Sequence, residues 1–243
     1  MDTMTSSTAP TASGGIVRPR TRLVVDAPTR VFHWLFALSF LGAYVSAEGE
    51  QWRMLHVTLG YTMAGLLAFR VVYGLFGPRQ ARLSLMLRKL AGLPQWLSSL
   101  LRAKEVNWRQ GQNLVMALVV VGLLVLALPL TLSGYASYSE WGNGGDTLEE
   151  LHEFMGNALL ALVLGHLAVM TVLSVLRRKN VASNMLTGRV DGPGPDLVQR
   201  QHRLLAALLL SAVLAFWAWQ WQQSPHGLIY VQAWGQQDGD NDD

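Results

Sequence analysis

Residues 148–170, "LEELHEFMGNALLALVLGHLAVM", place two histidines in an otherwise largely apolar run. His152 and His166 are separated by about 21 Å along the axis of an α-helix, at about 1.5 Å of rise per residue. At 3.6 residues per turn, both imidazoles project from nearly the same helix face. Placing an ionisable side chain inside the membrane costs free energy, so such a residue indicates a function. This stretch therefore predicts a membrane helix that presents two functional imidazoles at two depths.

The composition of the whole chain is also typical of a membrane protein. Of the 243 residues, 51% are hydrophobic and only 14% are charged, whereas soluble domains carry about 25% charged residues. A large soluble helical bundle is therefore disfavoured. Five apolar runs each approach the ~20 residues that cross the hydrocarbon as a helix, at 31–47, 54–76, 113–134, 150–176 and 204–221. We predict an all-α integral membrane bundle of four core transmembrane helices plus a fifth C-terminal transmembrane helix.

The charges in the connecting segments predict the orientation. Of the 19 Lys and Arg residues, 17 precede the first span or lie in the second and fourth connections, all on one side. The positive-inside rule places that side in the cytoplasm. The N-terminus is then cytoplasmic and the C-terminus periplasmic. The excess of positive charge reflects this topology and does not indicate nucleic-acid binding.

The chain divides into five predicted segments. Residues 1–25 are small and polar without the apolar core of a signal peptide, so they predict a disordered cytoplasmic arm. Residues 26–189 form the membrane domain, 190–203 a cytoplasmic linker, 204–221 the fifth helix and 222–243 an acidic periplasmic tail. In the second connection, "ARLSLMLRKLAGLPQWLSSLLRAKEV" alternates apolar and basic positions at helical spacing, which predicts a helix in the membrane interface.

Histidine is the plausible intramembrane metal ligand. The chain has no cysteine, which excludes Cys-ligated zinc, iron–sulfur clusters and covalently attached haem. The positions of the histidines along the predicted spans put His56 and His152 at one depth near the periplasm. They put His33 and His166 at another depth, toward the cytoplasm. A zinc ion would need three or four ligands at one point, whereas two imidazoles on opposite faces of an iron porphyrin form a b-type haem site. The alternative for each histidine is a hydrogen bond to a neighbouring helix.

Three arginines lie near the predicted cytoplasmic membrane edge, namely Arg30, Arg70 and Arg79. A guanidinium suits the planar carboxylates of haem propionates, so these side chains are candidate cofactor contacts. Arginine at this depth also extends its charged group toward lipid headgroups. Both interpretations stay open from sequence.

Several motifs resemble a bacterial family of membrane cytochromes b that includes cytochrome b561 and the cytochrome b subunit of nickel–iron hydrogenases. They are "DAPTRVFHW" (26–34), "LHVTLGY" (55–61), "FRVVYGLFGPRQARLS" (69–84), "LHE" (151–153), "GHL" (165–167) and "NVASNMLTGR" (180–189). The resemblance implies two b-type haems in the bacterial inner membrane. It implies electron exchange between the quinone pool and a periplasmic partner such as a c-type cytochrome, a hydrogenase or a dehydrogenase. The implied haem ligands are His33, His56, His152 and His166.

The chain departs from this family at two places. Many members enter the third span with a "GHNP"-like sequence, whereas here it is "GQNL" with Gln112 in the histidine position. The fifth span is added to a four-helix core. A membrane anchor or assembly subunit with structural haem is the alternative function, and a transporter with histidine proton relays is a third.

Overall fold

The computed structural model describes residues 21–102, 107–139 and 145–224. The predicted arm up to residue 20 and the tail from residue 225 lie outside the described residues. The described part is mainly helical. In chain order its elements are β1 (Thr21–Leu23), α1 (Ala27–Val45), α2 (Arg53–Phe76), α3 (Leu83–Leu90), α4 (Leu93–Leu101), α5 (Trp108–Tyr138), α6 (Gly145–Arg177), α7 (Ser183–Thr187), β2 (Arg189–Asp191) and α8 (Arg203–Gln223).

The all-α membrane bundle is confirmed. Within the described ranges, four helices are long and apolar enough to cross a membrane, namely Glu50–Phe76, Trp108–Tyr138, Asp146–Arg177 and Arg203–Gln223. Helix α1 has 19 residues and is not among the four. Its first two turns carry Arg30 and His33, which lower its apolarity. The count of five crossings therefore stays a prediction.

The core of the bundle joins four helices, and α8 packs outside them. Phe40 of α1 and Met63 of α2 form one buried cluster with Leu130 of α5 and Leu159 of α6. A second cluster joins α1 and α2 to α8 through Phe32, Leu66 and Val213. The Trp217 indole N–H donates to Thr62 Oγ1 at 2.8 Å, which ties α8 to α2. Helix α8 is therefore an addition to the α1–α2 side of the core.

Helix α1 begins several residues before the predicted apolar span. Asp26 is its N-cap, and its Oδ1 accepts from the Thr29 N–H at 3.1 Å. Asp at the N-cap and Pro28 in the first turn are typical helix-start residues. Helices α5 and α6 are also longer than predicted, at 31 and 33 residues. A helix of about 46 Å or more exceeds the ~30 Å hydrocarbon thickness, so both helices extend beyond the membrane.

A short antiparallel ribbon of β1 and β2 closes one end of the bundle, which we call the ribbon end. Leu23 pairs with Arg189, and the N–H groups of Val24 and Val25 both donate to Gly188 O. The described structure thus orders residues 21–25 of the predicted arm. Leu23 is buried and its N–H donates to Asp196 Oδ1, so these contacts account for the order. The opposite end, where α1 ends and α2 begins, is the far end.

The connection between α2 and α5 confirms the helix prediction for the amphipathic segment. Its residues form α3 and α4, separated at Ala91 and Gly92. Helix α3 contacts both α2 and α5. It therefore lies against the bundle on the ribbon side.

Candidate functional site

His56 on α2 and His152 on α6 face each other near the far end, and we call them the far pair. Their ring centroids are 5.9 Å apart and their planes are inclined by 83°. Two imidazole nitrogens that each lie about 2 Å from one metal atom put their ring centroids about 6 Å apart. The observed separation therefore matches two imidazoles that share one metal between them.

Backbone carbonyls fix the tautomer of both rings of the far pair. His56 Nδ1 lies 2.8 Å from the carbonyl oxygen of Ala43, in the last turn of α1, where carbonyls lack an intrahelical partner. His152 Nδ1 lies 3.0 Å from the carbonyl oxygen of Leu130. Because a carbonyl only accepts, each Nδ1 carries the proton and each Nε2 keeps its lone pair. This arrangement is typical of metal-ligating histidines.

Gly134 on α5 lets the His152 ring pack against the helix backbone. A Cβ placed on Gly134 would lie 2.7 Å from Cε1 and 2.9 Å from Nδ1 of His152. Such distances do not occur in real structures, so any larger residue would displace the ring. Neither Gly134 nor the carbonyls of Ala43 and Leu130 were among the residues predicted from the sequence. The sequence feature that could have indicated this contact is the Ser133–Gly134 pair, two small residues at the far end of a predicted span.

His33 on α1 and His166 on α6 are the second predicted pair, which we call the ribbon pair. Both Nδ1 atoms are buried and have no hydrogen-bond partner among the described residues. Such an atom costs about 1–3 kcal/mol when it stays unpaired. Buried unpaired groups in a native fold indicate a further partner.

Arg30 lies one helical turn from His33 on α1, so the two side chains share a face. Its Nη1 donates to the carbonyl oxygen of Leu186 at 2.8 Å. Its Nε is buried and has no partner in the described part of the chain. Arg30 therefore retains a donor one turn before His33.

Arg70 is in a different setting. It is 7% exposed, and its Nη1 donates to the carbonyl oxygen of Ala81 at 3.0 Å. Next to it on α2, the Tyr73 hydroxyl donates to Asp26 Oδ2 at 2.7 Å. Arg79 lies exposed in the short 3₁₀ turn before α3. Contact of Arg70 or Arg79 with a haem propionate stays a prediction.

The glycines inside the spans leave room beside α2 and α6. A Cβ on Gly60, Gly65 or Gly165 would meet no protein atom within 4 Å. Gly42 instead packs against the Leu59 side chain. Two opposed imidazoles, each with Nε2 free, and open helix surfaces are what a flat iron porphyrin requires. The far pair therefore fits this group.

The donor set does not fit zinc. In the ranges that the structure describes, no group of three or more His, Cys, Asp or Glu side chains converges on one point. Each pair offers two protein ligands, whereas structural and catalytic zinc sites use three or four.

Gln112, which stands where many relatives have histidine, has a structural contact. Arg177 donates from Nε and Nη2 to Gln112 Oε1, at 3.1 and 2.9 Å. This interaction joins the start of α5 to the end of α6. Gln112 is therefore part of a contact between helices and belongs to neither histidine pair.

Comparison with known families gives a match over most of the described chain. The family model described as prokaryotic cytochrome b561 matches residues 24–188. This range includes the far pair, the ribbon pair and Arg30 and Arg70. No curated protein and no solved structure matches the chain.

Proposed function

The chain belongs to the prokaryotic cytochrome b561 family, and from this premise we propose that it moves electrons through two b-type haems. The family consists of membrane cytochromes that bind b-type haem and transfer electrons, and this chain is one of them. In our proposal, the far pair and the ribbon pair each bind one haem. The electrons pass between the quinone pool and a periplasmic redox protein such as a c-type cytochrome or a periplasmic oxidoreductase.

The geometry of the far pair is the main support for this proposal. Its rings are 5.9 Å apart, and the carbonyls of Ala43 and Leu130 hold both rings with Nε2 available. These carbonyls orient the rings, and a hydrogen bond from Nδ1 also makes a ligand more basic. His56 and His152 would hold the haem, and when bound it would supply one-electron redox chemistry.

At the ribbon pair, Arg30 is the better candidate for a propionate contact. Its Nε is buried and unpartnered among the described residues, one turn from His33. A guanidinium matches the planar carboxylate of a propionate. The same contact for Arg70 stays a prediction, because the described hydrogen bond of its Nη1 goes to Ala81.

Orientation and partners follow from charge. The ribbon end carries most of the basic residues, so we place it in the cytoplasm of a bacterial inner membrane. The far pair then lies near the periplasm. The acidic tail, outside the described residues, would guide a basic redox protein to this side by electrostatic attraction.

The test is quinol-driven reduction of the purified full chain in detergent or nanodiscs. We expect that a short-chain quinol reduces low-spin b-type haem that dithionite also reduces. His202→Asn is the matched control, since His202 is exposed outside the spans and asparagine tolerates its positive φ of 46°. A chain that binds a periplasmic enzyme equally well without haem would instead support the anchor function and contradict the proposal.

A further inference from the structure

Helices α2, α3 and α5 enclose an apolar pocket of ≈ 260 Å³ that neither histidine pair lines. Its walls include Leu67 and Val71 of α2, Met86 and Leu87 of α3, and Val121 of α5. Arg70 is part of the lining, and every other lining residue is aliphatic or methionine. A cavity of about 150 Å³ accommodates benzene. The pocket is therefore large enough for a substituted six-membered ring.

The pocket has a buried floor and a lipid-facing rim. Leu67 and Arg70 are 5% and 7% exposed, whereas Val71, Leu87 and Val125 are 43%, 57% and 62% exposed. Because the exposed side chains are apolar and belong to the membrane-facing surface, a lipid-soluble molecule can reach Arg70 from the bilayer. It does not have to pass through water.

Arg70 has hydrogen-bonding capacity left in this apolar setting. Its Nη1 donates to the Ala81 carbonyl, but its Nη2 has the Met86 sulfur at 3.7 Å as its described acceptor. A thioether is a weak acceptor, and a guanidinium has five N–H donors. In the described part of the chain, these two acceptors leave N–H donors of Arg70 available. A carbonyl oxygen in the pocket would satisfy them.

The pocket also lies near the depth of the ribbon pair. Leu66, adjacent to Leu67, packs against Phe32, adjacent to His33. Leu124 of α5 lines the pocket and also packs against the cluster that contains Phe32 and Leu66. The pocket therefore lies at the level where we propose that the ribbon pair binds its haem.

We propose that this pocket binds the ring of a lipid-soluble quinone. One ring carbonyl accepts a hydrogen bond from the Arg70 guanidinium, and the isoprenoid tail leaves toward lipid past Leu87 and Val125. The proposal rests on the proposed function, since it assigns the quinone side of the electron path to named residues. A phospholipid would also offer an oxygen acceptor to Arg70. The experiments below therefore distinguish a bound quinone from a bound phospholipid.

The first experiment reduces the volume of the pocket by enlarging one of its lining side chains. Val121→Phe adds a ring at the pocket wall, and Val115→Phe is the matched control on the same helix, because Val115 does not line the pocket and is 36% exposed. In the haem-loaded full chain, Val121→Phe should raise the half-saturating concentration of duroquinol by roughly tenfold, the scale of a misfit in an apolar pocket. Dithionite should still reduce the same amount of haem in both variants.

The second experiment measures binding directly. A photoreactive azidoquinone should label peptides that contain residues 67–71 or 121–128 of the wild type. Excess duroquinone should compete with the label, and Arg70→Lys should weaken it because lysine lacks the planar fork of donors. Vesicles of phosphatidylglycerol should not compete.

Two results would overturn the assignment of the quinone to this pocket. The first is that Val121→Phe and Val115→Phe have the same half-saturating concentration of duroquinol. The second is that phosphatidylglycerol displaces the photolabel but duroquinone does not. In either case, quinol-reducible haem in the wild type would leave the proposed function standing. Wild-type haem that dithionite reduces but no quinol reduces would overturn the quinone function and this site together.

Discussion

The far pair and the ribbon pair each consist of two histidines from two different helices, but the surroundings of their rings differ. In the far pair, both Nδ1 atoms face backbone carbonyls, and His152 also packs against Gly134. In the ribbon pair, both Nδ1 atoms are buried and have no partner among the described residues. One site is thus oriented by the protein backbone, and the other lacks that support.

This difference has consequences for how each site binds its cofactor. Hydrogen bonds to the second nitrogen of a ligating histidine fix the ring and increase ligand basicity. The far pair is therefore preorganised for the haem that we propose, whereas the described residues give the Nδ1 atoms of the ribbon pair no such hydrogen bonds. We expect the far haem to be the more tightly held of the two.

The largest expected effect comes from removing one ligand of each pair. His152→Ala should reduce haem content from two per chain to one by removing the far haem. His166→Ala should remove the ribbon haem instead, because each porphyrin has its own ligand pair. Haem quantitation with reduced-minus-oxidised spectra measures both. If either variant kept two low-spin haems, the pairing would be wrong.

A second prediction tests the close contact at Gly134. Gly134→Ala should displace the His152 ring, at a cost of about 1–3 kcal/mol for overpacking, and lower the occupancy of the far haem. Gly122→Ala on the same helix is the control, because its Cβ would meet the flexible end of Leu162 at 3.0 Å. The measurement is low-spin haem content per chain. Equal haem content in the two variants would contradict the assigned contact.

The third prediction concerns redox potentials. The carbonyls of Ala43 and Leu130 make the far imidazoles more basic and favour ferric iron, whereas the Arg30 charge favours the ferrous form at the ribbon pair. The ribbon haem should therefore have the higher midpoint potential, by about 60 mV or more, a tenfold change for one electron. Spectroscopic redox titration of His152→Ala and His166→Ala assigns each value. The reverse order would show that other contacts dominate.

The smallest effect should come from a hydrogen bond that involves neither histidine pair. Trp217→Phe removes the hydrogen bond to Thr62 and should lower the free energy of unfolding by about 1 kcal/mol without changing haem content. Trp219→Phe is the control, since Trp219 is 54% exposed. Thermal unfolding in detergent compares the two. Loss of haem in Trp217→Phe would mean that α8 supports the core more than its packing indicates.

Sequence could predict the helices and the four histidines, because apolar runs and their lengths are local properties. Both pairs also followed from depth along the predicted spans. The start of α1 was readable too, from Asp26 and Pro28, but the apolar run alone placed it later. The family resemblance is confirmed by the match over residues 24–188.

The contacts that distinguish the two pairs could not be predicted. A backbone carbonyl such as that of Ala43 has no signature in the side-chain sequence. The Ala43 carbonyl can accept from His56 only because α1 and α2 pack together. Gly134 likewise contacts the His152 ring only because α5 packs against α6. The β1–β2 ribbon was missed because strands of three residues have no detectable periodicity. The pocket at Arg70 likewise depends on α3 folding back against α2 and α5.

The most direct test of the whole account is low-temperature electron paramagnetic resonance of the oxidised full chain, with the spins counted against protein. Two imidazole pairs that each clamp a porphyrin predict two low-spin ferric signals per chain. One signal, none, or a predominantly high-spin spectrum from fully haem-loaded material would contradict it.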